Sequence, residues 1–268
     1  MTISFVGGGV MAEAIIQGIL NANIAGSEEI IVTEPVEARR SYLESKLGLR
    51  TYVDNEAILD SDGIIILAVK PQSLGYIFSD LKGKIDKRRS VASIIAGIGL
   101  KTIQNGLSHN AIIRIMPNTP AQIGEAMTVW TASTEVQESD KVTVSKILET
   151  LGDELYVEEE KLIDMSTALS ASGPAYIFLF LEALIDSGVY LGMPRDLARK
   201  LVLKTVLGST DLVLKTGKHP AELKDMVTSP AGTTIEALVS LENDGFRAAV
   251  INGVRAAYDR SNELGGQS

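Results

Sequence analysis

The chain has 268 residues, of which 45% are hydrophobic and 22% charged, enough for one large globular domain or two ordinary ones. Its formal net charge of −9 argues against a nucleic-acid partner, because bulk phosphate neutralisation needs an excess of basic residues. The absence of cysteine excludes disulfides, thiolate metal sites and cysteine nucleophiles, and it fits a reducing, cytoplasmic compartment.

The first part of the chain alternates short apolar runs with helical patterns. Strands are predicted at Ile3–Val6, Ile30–Thr33, Gly63–Val69, Ser90–Ile95, Ala111–Met116 and Met127–Thr131, and helices after Met11 and at Val36–Leu47, Lys101–Leu107 and Val142–Leu151. Continuous apolar runs such as "GIIILAV" are typical of strands buried on both faces of a parallel sheet. This alternation predicts a doubly wound α/β domain over residues 1–158.

The remainder, residues 159–268, carries almost no strand signal and predicts a series of helices, several of which begin at proline. The acidic run Glu158–Glu160 is the best candidate for the domain boundary. The most apolar stretch runs from Ala175 to Met193 and contains Glu182 and Asp186, so we interpret it as a buried helix rather than a membrane span. A helix that is apolar nearly all round needs burial on several sides, which predicts at least a dimer. No secretory signal is expected at the start of the chain.

Three glycines interrupt the first apolar run. Gly7, Gly9 and Ala12 fit the pattern G-x-G-x-x-A between a predicted strand and a predicted helix, and Glu34 ends the next predicted strand. In a dinucleotide site the first glycine makes the turn, the second admits the diphosphate, and the acid meets the adenosine ribose. The alternative is a tight turn that binds nothing.

The type of nicotinamide coenzyme stays open at this stage. The carboxylate of Glu34 suits a free 2′-hydroxyl and repels a 2′-phosphate. Arg39 and Arg40 follow shortly afterwards and offer a phosphate contact, or they are merely solvated helix residues.

Other loops follow strands that would share one edge of the sheet, where ligands bind in open α/β sheets. Ala68–Pro71 ends "LAVKPQ", Ala96 and Gly97 end "IIAGI", and Asn118 and Thr119 follow "RIM". Each alone is an ordinary strand-to-helix loop.

In the helical half, Thr228, Ser229, Gly232, Thr233 and Thr234 directly precede a helical pattern, with Thr233 expected as the N-cap. They predict either a well-capped helix or a cradle for a small carboxylate. Thr167, Ser170 and Ser172 precede the long apolar helix and would face the same space. Neither His109 nor His219 is expected to be a catalytic base, since the first lies in a polar loop and the second precedes Pro220. No metal-ligand spacing is present.

Seven segments occur in one order: "FVGGGVMAEAIIQGIL", "AVKPQ", "IAGI", "RIMPNTP", "SASGPAYIF", "GMPRDLA" and "SPAGTTIEAL". Over nearly its whole length the chain resembles pyrroline-5-carboxylate reductases, which reduce the C=N bond of 1-pyrroline-5-carboxylate in the last step of proline synthesis. The resemblance implies an N-terminal Rossmann domain and an all-helical dimerisation domain that forms a homodimer, often within a decamer. It implies NADP(H), with NAD(H) as the alternative, and neither nucleic acid nor membrane as a partner.

The resemblance also implies residue roles. Thr167 would lie near the imine nitrogen as a proton donor or positioning group, and Asn118, Ser229, Gly232, Thr233 and Thr234 would contact the substrate. The implied coenzyme contacts are Gly7, Gly8, Gly9, Val10, Met11, Ala12, Thr33, Glu34, Asn55, Ala68, Val69, Lys70, Pro71, Ile95, Ala96 and Gly97.

Two positions depart from the family pattern. Val10 stands where the glycine loop usually has asparagine, and Ala231 stands in "SPAG" where the family has a second glycine. If residue 231 requires a positive φ, alanine costs about 1 kcal/mol there. Two other hypotheses remain at this stage: a related reductase acting on another imino or keto acid, and a dinucleotide-binding regulatory or scaffold protein without catalysis.

Overall fold

A computed structural model of the chain describes residues 2–266. It divides into two compact units: one comprises the chain up to Pro174 together with the segment from Ala257, and the other is Ala175–Ala256. The predicted domain division at residue 158 remains a prediction.

The six predicted strands occur in the predicted order, two further strands were not predicted, and all of the strands lie in the first unit. The strands are β1 (Ile3–Val6), β2 (Ile30–Thr33), β3 (Arg50–Tyr52), β4 (Ile65–Leu67), β5 (Val91–Ser93), β6 (Ile112–Met116), β7 (Ala126–Ala132) and β8 (Gly152–Tyr156). The helices are α1 (Val10–Asn21), α2 (Glu37–Leu47), α3 (Leu74–Leu81), α4 (Leu100–Leu107), α5 (Glu138–Glu149), α6 (Lys161–Ser166), α7 (Gly173–Tyr190), α8 (Arg195–Thr216), α9 (Pro220–Met226), α10 (Thr233–Asn243) and α11 (Phe246–Gly266).

The eight strands form one sheet in the order β3-β2-β1-β4-β5-β6-β7-β8. The first six strands are parallel, β7 runs antiparallel to β6, and β8 runs parallel to β7. The first six therefore have the order of a dinucleotide-binding sheet, in which the chain reverses direction of growth between β1 and β4. The predicted fold class is confirmed.

The sheet is covered on both faces, and successive residues of its strands serve opposite faces. Ile3 and Phe5 of β1 belong to one apolar cluster with α1, α2 and α5, whereas Val6 belongs to a second cluster with α3 and α4. Because both faces are buried, the central strands read as continuous apolar runs in the sequence.

The helical unit differs in that its long apolar helix is not covered. Within the described part of the chain α7 contains no buried residue, so a single copy does not provide the expected burial, and the partner chain that the sequence predicts would have to supply it. The continuous helical segment Lys161–Tyr190 is long and apolar enough to cross a membrane by length and composition, a test that core helices of soluble proteins also pass. Inside this unit, Gly188 packs so closely on Ala198 that an added Cβ would lie 2.8 Å from the alanine Cβ.

Candidate active site

The carboxyl ends of four neighbouring strands meet at one edge of the sheet. Val6 pairs with Thr33 on one side and with Leu67 on the other, and Leu67 pairs with Ser93. The ladder continues beyond the strands, since Gly7 N–H donates to Thr33 O at 2.8 Å and Ala68 N–H to Val6 O at 2.8 Å. The predicted glycine loop, Glu34 and the loops after β4 and β5 therefore lie side by side.

The glycine loop has the backbone geometry that a dinucleotide requires. Gly7 has a φ of +97°, and a Cβ there would lie 2.6 Å from Ala68 O. A Cβ at Gly9, by contrast, would meet no atom of the described residues within 4 Å. Gly9 precedes the first turn of α1, whose N–H groups point along the helix axis and attract anions. The open space at Gly9 thus fits a diphosphate.

The rest of the loop packs closely against its supports. A Cβ at Gly8 would lie 2.7 Å from Leu43 Cδ1, and Ala12 is buried in the core, so both positions demand small residues. Val10, the first helical residue, is 62% exposed, and Met11 is partly buried. The glycine loop therefore packs against its neighbours at Gly8 and Ala12 and is exposed at Val10.

Glu34 directly follows β2 and turns its carboxylate onto the glycine loop. Its Oε2 accepts the Gly8 N–H at 3.0 Å and its Oε1 accepts the Val36 N–H at 3.0 Å. The side chain is partly buried. An acid held here is positioned to receive a ribose hydroxyl.

Arg39 and Arg40 are not simply solvated, which corrects one of the two interpretations offered above. Arg39 donates to the carbonyls of Gly8 and Gly9 and forms an ion pair with Glu13 at 2.6 Å. Arg40 donates to the carbonyls of Glu34 and Pro35. Sequence reasoning missed these contacts, because nothing in a local pattern shows that α2 folds back onto the glycine loop.

A polar chain runs from β2 to α3. The Thr33 hydroxyl donates to Asn55 Oδ1 at 2.7 Å, and Asn55 Nδ2 donates to Asp80 Oδ2 at 2.8 Å. Asp80 was not anticipated, although it orients the amide of a predicted site residue.

The loops after β4 and β5 complete this edge of the sheet. Ala68 and Val69 are partly buried, Lys70 is exposed, and Pro71 begins a short 3-10 turn. The Ser93 hydroxyl accepts the N–H of Ile95, Ala96 is exposed, and Gly97 has a φ of +74°. The residues of these two loops that are predicted to contact the coenzyme therefore lie at the same edge of the sheet as the glycine loop.

Thr167 begins a π-helical turn, Thr167–Ala171, between α6 and α7. Such turns often occur at functional sites. The Thr167 hydroxyl is buried and donates to Ile163 O at 2.8 Å. Asn118 joins the same region to the sheet: its Oδ1 accepts the Met127 N–H, and its Nδ2 lies 3.4 Å from Ser170 O.

In the helical unit, the predicted carboxylate cradle lies at the start of α10. The N-cap is Gly232, not Thr233 as expected, since Thr233 is already helical. Ala231 has a φ of 55°, so it adopts the left-handed conformation considered from the sequence. A Cβ at Gly232 would lie 2.3 Å from Ser229 Oγ and 3.2 Å from Ser229 O, so a larger residue here would require the Ser229 side chain to move.

His219 lies at a helix start, as predicted, and His109 makes a contact that was not predicted. His219 caps α9, where its Nδ1 accepts the Ala221 N–H at 3.2 Å. His109 is buried, which the polar character of its loop did not suggest, and its Nε2 donates to Arg89 O at 2.7 Å. Among residues 2–266 no group of three metal-ligating side chains comes together.

Comparison with known proteins agrees with this geometry. Residues 160–264 match the family model for pyrroline-5-carboxylate reductase dimerisation, and residues 2–97 match that for coenzyme F420-dependent NADP oxidoreductases. The pyrroline-5-carboxylate reductase of Synechocystis sp. is 46% identical over 98% of both chains, and that of Pisum sativum 40% identical over 98% of this chain and 96% of its own.

Solved structures give the same result. The pyrroline carboxylate reductase of Plasmodium falciparum, crystallised with NADP bound, superposes with a TM-score of 0.90 at 34% identity and covers 99% of this chain and 98% of its own. The Streptococcus pyogenes enzyme gives a TM-score of 0.89 at 31% identity, with 98% of each chain covered. The helical half is thus a dimerisation region and the sheet an NAD(P)-binding oxidoreductase domain. The chain belongs to the pyrroline-5-carboxylate reductase family.

Proposed function

We propose that the chain reduces the C=N bond of 1-pyrroline-5-carboxylate to give L-proline, with NAD(P)H as the hydride source. The observation that carries this proposal is the similarity to reductases of that name, which extends over 98% of the chain at 46% identity. The glycine loop at the edge of the sheet supports it, because it fits a dinucleotide.

The coenzyme residues act by binding and orientation. The loop Gly7–Ala12 and the start of α1 would hold the diphosphate, Thr33, Glu34 and Asn55 the adenosine end, and Ala68–Pro71 with Ile95–Gly97 the remaining rim. The bound nicotinamide supplies the hydride, so the protein needs no metal, cysteine or nucleophile of its own. Orientation of two reactants lowers a barrier by several kcal/mol, which suits a site poor in titratable groups.

The substrate carboxylate would bind at the start of α10. Thr233 and Thr234 offer N–H groups of the first helical turn and two hydroxyls, and Ser229 offers a third hydroxyl. Gly232 caps the helix, and its own N–H donates to Ser229 O at 3.1 Å. Asn118 would position the π-helical turn through its contact with Ser170.

Thr167 would position the imine nitrogen. Its hydroxyl proton is engaged by Ile163 O, so the oxygen retains its capacity to accept a hydrogen bond. A protonated imine N–H is such a donor, and protonation also makes the C=N carbon more electrophilic. The proton would come from solvent rather than from Thr167, which narrows the two roles considered from the sequence to positioning.

The wider context of the proposal is a cytoplasmic, soluble enzyme that works as a homodimer and assembles into a decamer. It would act on a small molecule and require neither nucleic acid nor a membrane. Residues 1–158 would form the coenzyme domain and residues 159–268 the dimerisation and substrate domain.

The direct test is oxidation of NADH and NADPH by the purified chain with pyrroline-5-carboxylate and with a panel of other imino and keto acids. Stoichiometric formation of proline, with the other substrates at least about tenfold slower in kcat/KM, is expected. Faster turnover of another substrate would replace the proposed one. Coenzyme binding without any turnover would favour the regulatory or scaffold hypothesis.

A variant tests Thr167 separately. We expect Thr167→Val to lower kcat by about tenfold or more while the dissociation constant for NADPH is unchanged. Thr143→Val is the matched control, because the Thr143 hydroxyl makes the same bond to a helix carbonyl, Ser139 O at 2.9 Å, on the exposed side of α5. Equal activity of the two variants would remove Thr167 from the site.

A further inference from the structure

Arg39, the cation after β2 that comes closest to the glycine loop, is bound through its Nε and Nη2 nitrogens. Arg39 Nη2 lies 2.6 Å from Glu13 Oε2 and 3.2 Å from Gly9 O, and its Nε donates to Gly8 O. These acceptors belong to the loop and to the first turn of α1. Arg39 therefore serves to fix the loop carbonyls, and its Nε and Nη2 could turn to a phosphate only if these contacts broke.

Glu13 holds Arg39 in place through a network on α2. Its Oε1 accepts from Tyr42 Oη at 3.0 Å and from Lys46 Nζ at 2.9 Å. Burial raises the pKa of the Glu13 carboxyl, but the hydrogen bonds from Lys46, Arg39 and Tyr42 outweigh it, so the pKa lies below its ordinary value. The partner of Arg39 thus stays charged.

Arg40, the second cation, is also engaged. Its Nη1 donates to Glu34 O at 2.8 Å and to Pro35 O at 2.9 Å, where it closes the turn between β2 and α2. Between them the two arginines bind carbonyls of the glycine loop and of the turn that follows Glu34.

The Glu34 carboxylate is the charge left facing the ribose position. Two N–H groups orient it without neutralising it, since Gly8 and Val36 are uncharged donors. A ribose 2′-hydroxyl can donate to this carboxylate. A 2′-phosphate cannot donate when ionised, and it would place like charges a few ångströms apart, which is unfavourable even when partly solvated.

From this arrangement we propose that Glu34, together with the Glu13–Arg39 pair, makes the chain favour NADH over NADPH. The inference rests on the proposed function only in that both need a bound dinucleotide. Glu34 acts directly on the ribose, whereas Glu13 acts as a positioning residue by withholding Arg39 from a phosphate.

Coenzyme binding in the absence of imine tests this without turnover. Dissociation constants are measured by calorimetry for NADH and NADPH, and for ADP-ribose and its 2′-phosphate, which lack the nicotinamide. For the wild-type chain we expect NADH and ADP-ribose to bind at least about tenfold more tightly than their phosphorylated counterparts, with the gap narrowing in high salt. Equal binding, or tighter binding of the phosphorylated pair, overturns the proposal.

Two variants separate the parts of the mechanism. Glu34→Gln keeps a hydrogen-bond acceptor for the loop and should improve binding of the phosphorylated ligands about tenfold. Glu13→Gln should improve the same binding by a smaller factor, because it releases Arg39, and the further change Arg39→Met should abolish that gain. If Arg39→Met alone, in the otherwise wild-type chain, weakens binding of NADPH and of 2′-phospho-ADP-ribose more than binding of NADH and ADP-ribose, Arg39 already binds the phosphate and the proposal is wrong.

Glu37→Gln is the control for net charge. Glu37 is an exposed acid in the first turn of α2, and no contact with the glycine loop is among its described interactions. The ratio of the dissociation constants for NADPH and NADH should be the same in Glu37→Gln as in the wild type. If Glu37→Gln and Glu34→Gln change this ratio equally, the effect comes from overall charge and the proposal is overturned. Loss of imine reduction with intact coenzyme binding would instead count against the proposed function alone.

Discussion

The sheet unit and the helical unit treat their apolar side chains in opposite ways. The sheet carries a buried cluster on each face, with Ile3, Phe5, Ile65 and Ile112 fully enclosed. In residues 175–256 large apolar side chains stand exposed, among them Phe178, Leu179, Leu207 and Ile251. The first unit completes its own core, whereas the second presents a surface far more apolar than monomers usually tolerate.

The contrast teaches that the two halves meet different folding requirements. A sheet covered on both faces buries its apolar area within one chain. A bundle whose long helix is apolar all round needs further cover, and the family match over residues 160–264 is to a dimerisation region. We therefore expect the apolar character of α7 to serve assembly rather than the monomer fold.

The largest effect is expected at a charged group inside the self-sufficient unit. Arg114 of β6 is 2% exposed and pairs with Glu160 at 2.9 Å and Asp164 at 2.6 Å. Arg114→Ala would leave two carboxylates beside an empty site and should lower the free energy of unfolding by about 3–5 kcal/mol, measured by urea denaturation. Arg88→Ala is the control, because that pair with Asp86 is exposed and should contribute under about 1 kcal/mol. Equal losses in both variants would contradict the special role of Arg114.

A charge introduced on the exposed helix α7 should weaken dimerisation without affecting coenzyme binding by the sheet unit. Leu179 of α7 is 68% exposed in the single chain. Leu179→Asp should weaken the dimer by about 2 kcal/mol or more, roughly thirtyfold, since it buries an unpaired charge on association. Sedimentation velocity over a dilution series measures this, and coenzyme binding by the sheet unit should be unchanged. An unaltered dimer would place the interface elsewhere.

A smaller effect is expected at the strained residue of the helical unit. Ala231 has a φ of 55°, a conformation that costs alanine more than glycine. Ala231→Gly should raise the free energy of unfolding by about 0.5–1 kcal/mol, as seen by thermal denaturation at fixed protein concentration. A decrease would mean that the loop depends on the rigidity of alanine more than it suffers from strain.

The smallest expected effect concerns pH and the sheet unit. Burial lowers the pKa of His109, an effect that its hydrogen bond to Arg89 O only partly offsets. Because the unfolded chain then takes up the proton more readily, this histidine contributes stability above its ordinary pKa of about 6.5, and the contribution declines as the pH falls towards the lowered native value. His109→Gln should flatten the stability profile just below pH 6.5. An unchanged slope would show that the pKa of His109 does not differ between the folded and unfolded chains.

Buried strands could be predicted from the sequence, whereas exposed edge strands could not. β1 and β2 occur at the predicted residues, because apolar runs between glycines and polar loops delimit them. β3 and β8 were missed: they are edge strands with exposed, polar sequences, "RTY" and "GDELY", and only their neighbours define them. The predicted Gly63–Val69 shortened to Ile65–Leu67, since the apolar run also includes the buried Gly63 and Ile64 before the strand and the partly buried Ala68 and Val69 after it.

The site divides in the same way. The glycine loop was predictable, because a positive φ at Gly7 and open space at Gly9 leave a glycine pattern. The Glu13–Arg39 pair was not, because 26 residues separate its members and only the packing of α2 on α1 brings them together. Long-range polar contacts of this kind leave no local period in a sequence.

The reversed pair β7 and β8 has a consequence for the route of the chain. Because these strands run against the other six, Tyr156 leaves the sheet on the side away from the coenzyme edge. α6 then travels back across the sheet, bound to Arg114 on the way, and returns Ser170 to Asn118 just beyond the end of β6. The chain leaves β8 pointing away from the coenzyme edge, and α6 brings it back towards that edge. A chimera that exchanges the sheet between relatives should therefore include α6 with the sheet, because α6 determines at which edge of the sheet Thr167 lies.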